Sequence, residues 1–192
     1  PLDSVTPDNF FFTENDLAAY AVKHYNFTTH EGFNAGIWRN DNATDNQAAT
    51  DYDKKWIPGQ WKVPEAYDNP ASNDPWYFSA IREANYFLET VVPRFEKGEI
   101  EGSETNIKHY IGEMYFLRAK NYLSKLETFG DFPIIKNTLP DESASLIQAS
   151  KREPRHKVAR FILEDLDLAI GLRTNTISGG KNRITQNAAL LL

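Results

Sequence analysis

Apolar side chains recur at helical spacing in separate stretches of the chain. Leu17, Tyr20, Ala21 and Tyr25, with His24 beside them, follow i, i+3, i+4 and predict a helix from Glu14 to about Asn26. Thr13 is placed to cap it, and Asp16 completes a capping box. Tyr77, Ile81, Ala84, Leu88 and Val91 carry a second stripe. Asp74 reads as its N-cap, Pro75 as its first helical residue and Pro93 as its end. A third helix is predicted from about Asn106 to Phe129. It has two stripes: Ile107, Tyr110, Met114 and Leu117, then Ile111, Tyr115, Ala119, Tyr122, Leu126 and Phe129. Two stripes require packing on more than one side, so this helix should lie centrally. Gly130 suits the left-handed position that ends helices, and Pro133 disfavours helix at Phe132. Val158, Ile162, Leu166 and Ala169 predict a fourth helix over about Pro154–Leu172, and Thr185 opens a short stub, Gln186 to Leu192.

Between these elements the period is lost. Thr28 to Asp74 is rich in Asn, Asp, Gly and Pro, with no sustained period of 2 or 3.6. Irregular stretches of this length tend to be functional. Gly98–Thr105, Asn137–Lys151 and Thr174–Asn182 read as connectors or loops. The expectation is one all-α domain over residues 1–192, with long irregular loops. A stub ending in leucines is poorly stable alone. The chain is therefore expected to be an N-terminal fragment, cut within a helix.

Composition narrows the function more than the fold. A net charge of −6 argues against nucleic acid, whose phosphates need clustered Lys and Arg. Lys151, Arg152, Arg155, His156 and Lys157 come nearest, and they read as the solvated face of a helix start. No cysteine is present, which excludes disulfides, thiolate catalysis and Cys-ligated zinc. No run approaches the ~20 apolar residues of a membrane helix.

Catalytic signatures are absent. There is no Gly-x-Ser-x-Gly and no His-Glu-x-x-His. His24, His30, His109 and His156 lack paired metal spacing, and no cofactor is implied. Asp41–Asp45 fails as a calcium loop because Ala43 occupies a ligand position. Glu113 stands out as an acid within the apolar third helix. It reads as a buried structural carboxylate, although a pair of facing acids for glycoside hydrolysis stays open. Arg118 lies roughly 140° around the helix from Glu113, so each should tether a different neighbour.

The tryptophans carry more. Trp38, Trp56, Trp61 and Trp76 fall in or beside the irregular stretch, with Tyr52 and Tyr67, interleaved with Asp45, Asn46 and other amides and acids. Flat rings cover the C–H faces of sugars, and amides and carboxylates match their hydroxyls. The alternative is that these rings pin a long loop to the helices.

An ordered set of motifs then resembles the SusD/RagB family. Glu113-Met-Tyr-Phe-Leu117-Arg118-Ala119, continuing to Phe129-Gly130-Asp131-Phe132-Pro133, resembles its central signature. Thr44-Asp45-Asn46, Ile81-Arg-Glu-Ala-Asn85, Arg155 with Phe161–Leu166, and Arg183-Ile184-Thr185 resemble others in the family's order. The resemblance covers nearly the whole chain and the N-terminal portion of a longer family. It implies tetratricopeptide-like helix pairs, although no 34-residue period is visible. It also implies a non-catalytic, surface-exposed outer-membrane lipoprotein of Bacteroidetes-type bacteria, serving nutrient uptake. Such a protein binds oligosaccharide and passes it to a SusC-like TonB-dependent transporter. The lipid-bearing cysteine of that family is not in this sequence. Peptide-binding members, or a helical protein-interaction scaffold, are the alternative. The candidate ligand contacts are Trp38, Asp45, Asn46, Trp56, Trp61, Tyr67 and Trp76, with no catalytic and no metal-binding residue.

Overall fold

The computed structural model describes residues 10–25, 57–60, 62–64, 75–175, 177 and 182–192. The chain divides into two compact units, Pro1–His24 with Ala66–Leu192, and Tyr25–Glu65. In the second unit, Gly59 takes φ 78° within a turn closed by Gln60 N–H donating to the Ile57 carbonyl at 3.0 Å. All that follows concerns the first unit.

The described residues are helical: α1 (Glu14–Lys23), α2 (Ser79–Glu96), α3 (Glu104–Phe129), α4 (Ser143–Ala149), α5 (Arg155–Leu172) and α6 (Gln186–Leu191). Among them β-structure is limited to two isolated bridges, Thr13 with Glu101 and Phe132 with Glu153. The expected all-α architecture is what forms. No helix among them is long and apolar enough to cross a membrane.

α3 is the central element, touching α1, α2 and α5, as its two stripes require. Ile107, Ile111, Met114, Leu117, Ala119 and Tyr122 are all buried along it. Each large apolar side chain so enclosed contributes about 1.5–3 kcal/mol. Gly112 lets α5 approach closely, since a Cβ there would meet the Ala169 carbonyl at 3.2 Å and Arg173 Cγ at 2.5 Å. On the other side, Phe11 and Phe87 meet edge to face at 5.3 Å, and Tyr20 stacks on Phe87 at 5.4 Å. The capping box on α1 forms as expected: Asp16 N–H donates to Thr13 Oγ1 at 3.2 Å and Thr13 N–H donates to Asp16 Oδ2 at 3.0 Å.

Three boundaries differ from the sequence expectation. Asp74 lies outside the described residues, and α2 starts at Ser79 rather than Pro75, which sits with Trp76 in a turn. Trp76 and Phe78 both stack on Phe132, at 5.7 and 5.1 Å. In a helix, residues i and i+2 point to different sides, so that packing requires a non-helical start. Pro93 falls inside α2, which continues to Glu96, with Arg94 Nη1 donating to the Phe10 carbonyl at 2.8 Å. Within Asn137–Lys151, read as loop, Ser143–Ala149 forms α4. This helix buries no residue, so it left no apolar period to detect.

Candidate functional site

After α3 the chain reverses at Gly130, whose φ of 72° and ψ of −99° give the positive-φ turn expected there, though not with left-handed helical ψ. Asp131 then caps the next long helix from outside, its Oδ1 accepting from Arg155 N–H at 2.8 Å. Phe132 exchanges both backbone hydrogen bonds with Glu153, each 3.1 Å. The segment from Phe132 to Leu139 forms an extended strap across α2 and α3.

The strap is held by side chains from the helices beneath it. The Tyr122 hydroxyl accepts from Ile135 N–H at 2.8 Å and donates to the Ile135 carbonyl at 3.2 Å. Asn85 Nδ2 donates to the carbonyls of Ile135 at 2.8 Å and Asn137 at 3.4 Å. Arg118 Nη1 donates to the Lys136 carbonyl at 3.4 Å, and Glu89 Oε2 accepts from Thr138 N–H at 2.9 Å. The strap therefore reaches its backbone partners without forming a sheet.

Arg118 organises the group. Its Nε and Nη2 grip Asp165 Oδ2 and Oδ1, both at 2.7 Å, and its Nη1 donates to Asn85 Oδ1 at 2.8 Å. All three side chains are buried. Burial pushes the Asp165 carboxyl above its ordinary range, and the Arg118 guanidinium opposes that shift. A fork-to-fork pair of this kind is strong and geometrically specific. The residues come from three separate motifs on α2, α3 and α5. Each motif thus supplies one member of a single interior cluster.

Glu113 serves another seam. Its Oε1 lies 3.1 Å from His109 Nε2 and its Oε2 lies 3.1 Å from Arg183 Nη2. Thr174 N–H donates to His109 Nδ1 at 3.2 Å, so Nε2 carries the proton toward Glu113. Glu113 and Arg118 tether different neighbours, and neither side chain opens to solvent.

Strap, α2 and α4 enclose a cavity of about 320 Å³. The Trp76 turn, Phe78, Ile81, Arg82 and Asn85 form one side. Pro133, Ile135, Asn137 and Leu139 of the strap, with Leu146 and Ser150, form the rest. The walls are apolar and aromatic, with few polar groups, the usual make-up of a small-molecule site. Asn85 is fully committed to Arg118 and the strap. Ser150 Oγ donates to the Ile147 carbonyl at 2.7 Å. Among the described residues, the Arg82 guanidinium and the Asn137 amide make no hydrogen bond or ion pair of their own.

Of the residues expected to contact ligand, Trp38, Asp45, Asn46, Trp56, Trp61 and Tyr67 lie outside the described residues. Trp76 lines the cavity, but its ring is also packed against Phe129 at 4.1 Å and beneath the Arg152 guanidinium at 4.8 Å. Phe78, Arg82 and Asn137 were not singled out from sequence. Their signal was weak: Arg82 falls among the exposed positions of an amphipathic helix, and Asn137 in a loop.

The packed helix pairs, with a cavity under an irregular strap, form a helical scaffold of the tetratricopeptide-like kind. The chain belongs to the SusD-like family described as "starch-binding associating with outer membrane", whose model matches residues 3–192. A crystal structure of a SusD-like protein from Bacteroides fragilis is similar, with 25% identity and a TM-score of 0.64, over 98% of this chain and 35% of that one. A SusD-like carbohydrate-binding protein from the same species shares the fold at 18% identity and TM-score 0.62, over 94% of this chain and 36% of that one. The chain thus spans about a third of the length of these solved relatives. A comparison with curated proteins gives no match.

Proposed function

We propose that this chain is part of a non-catalytic, surface-exposed outer-membrane lipoprotein that captures oligosaccharide and passes it to a SusC-like TonB-dependent transporter. Family membership over residues 3–192 carries the reading. A structural neighbour described as carbohydrate-binding supports it, as does the aromatic-walled cavity. Glu113 and Asp165 are held by arginines inside the core, which suits structural carboxylates rather than a solvent-facing acid pair. Ligand contacts are assigned to Trp38, Asp45, Asn46, Trp56, Trp61, Tyr67 and Trp76.

Calorimetric titration of the full-length protein against a panel of neutral and acidic oligosaccharides tests the capture step. Heat of binding to at least one member, without turnover, is expected. Silence across the glycans with tight binding of peptides would instead make it a peptide-binding member. Affinity isolation from outer membranes tests the handover, with a TonB-dependent transporter as the expected companion.

A further inference from the structure

The cavity beneath the strap has a chemical bias that a general glycan site does not need. Among the described residues that line it, the uncommitted polar groups are the Arg82 guanidinium and the Asn137 amide, since Asn85 and Ser150 are engaged elsewhere. A guanidinium offers donors and no acceptor, and its planar fork matches a carboxylate. A neutral sugar hydroxyl can accept from it but brings no charge and no second coplanar oxygen to match the fork.

Two basic side chains lie at the cavity. The chain is acidic overall, with net charge −6, yet Arg82 lines the cavity and Arg152 sits over its Trp76 wall at 4.8 Å. Two of the three acids on α2 face other partners, and the third, Glu96, ends the helix: Glu83 lies 3.0 Å from His24 Nδ1, and Glu89 is bonded to Thr138. Glu89 is two helical turns from Arg82, about 10 Å along the axis. At about 320 Å³ the cavity lies at the small end of ligand pockets, which run from roughly 300 to 1,000 Å³. That suits a terminal sugar with its neighbour rather than a long chain.

We infer that this cavity is a subsite for a uronic acid residue, with Arg82 gripping the carboxylate, Asn137 meeting ring hydroxyls, and Phe78 facing the apolar side of the sugar, while Trp76, its ring covered by Phe129 and Arg152, walls the cavity with its edge. The inference rests on the glycan-binding reading and names the ligand class at one site of it.

The test uses the full-length protein and two probes of equal size: an α-1,4-linked galacturonic acid trimer and the same trimer with its carboxyls reduced to alcohols. The acid is expected to bind about tenfold more tightly, as a charge-assisted pair at a half-solvated site allows. Arg82→Gln should abolish that preference, weakening the acid probe about tenfold relative to the reduced trimer. Leu146→Trp, at an exposed position on the α4 side, should fill the cavity and weaken the acid probe, with unchanged circular dichroism. Equal affinity for the two probes overturns the inference while leaving glycan capture standing. So does an acid preference that survives Arg82→Gln. Failure of every carbohydrate in the wider panel defeats the glycan reading itself, and the subsite with it.

Discussion

Arg118 shows what single residues do in this fold. It joins α3 to α5 through Asp165 and to α2 through Asn85, partners 47 and 33 residues away in sequence. Arg118→Ala would leave Asp165 charged and buried without its partner, at a cost of about 3–5 kcal/mol. Urea unfolding should register that loss, and Arg118→Lys should recover little of it, because an ammonium cannot grip both carboxylate oxygens. A loss below about 1 kcal/mol would mean that water or a rearranged neighbour satisfies Asp165. Tyr122 gives a pH signature. Burial pushes its hydroxyl from an ordinary 10.0 up to about 12, so the folded state resists ionisation that the unfolded chain accepts. A folded-state value above the unfolded one stabilises fully below pH 10 and is lost as pH rises through about 12. Tyr20 is shifted upward too, so alkaline unfolding should soften but not vanish in Tyr122→Phe. That variant should also lose about 1–3 kcal/mol at neutral pH, because Ile135 N–H is left without its acceptor. Arg118, Asn85 and Asp165 all lie in motifs visible in the sequence. Their meeting was not visible, because helical periodicity assigns a face to each residue but says nothing of which helices adjoin.

At the scale of elements, what the sequence revealed follows the amount of apolar surface each element buries. α1, α3 and α5 were legible because buried stripes impose a period of 3.6. The start of α2 was misread because Pro75 has the chemistry of a first helical residue, while ring stacking on Phe132 holds the chain out of helix. α4 buries nothing and was read as loop. The same property predicts its behaviour: with Leu146 and Ile147 exposed, its amides should exchange with solvent far faster than those of α3. Exchange as slow as in α3 would show that something else covers it. The contact between α3 and α5 is the opposite case. Gly112→Ala gains helix propensity of about 1 kcal/mol. The new methyl would sit 3.2 Å from the Ala169 carbonyl and closer still to Arg173, and both helices are pinned by the Arg118–Asp165 pair. Overpacking of this kind costs about 1–3 kcal/mol, so the net effect should be a lower melting temperature. A stabilised variant would show that the helices can separate cheaply.

For the whole molecule, the sequence indicated the family more firmly than the ligand site, and the physical reason is visible. The family motifs sit in the interior cluster, where Arg118, Asn85 and Asp165 must keep their chemistry for the helices to pack. The cavity uses the edges of the same elements, where Arg82 and Asn137 are exposed and nothing in a helical period marks them. Yet the two are mechanically joined, since the strap that forms the cavity wall is held by Asn85, Arg118 and Tyr122. Ligand in the cavity should therefore steady the strap. A ligand that binds the folded state alone stabilises it by about 2.7 kcal/mol at a concentration of 100 Kd. In the full-length protein, saturating oligosaccharide should slow amide exchange at Ile135 and Thr138, whose N–H groups donate to Tyr122 and Glu89. The protection should reach Tyr122 and Asn85 as global stabilisation rather than as new contacts, because both are already buried and bonded. Protection confined to residues 26–56 would place the ligand on the tryptophan-bearing stretch and make the cavity a structural feature.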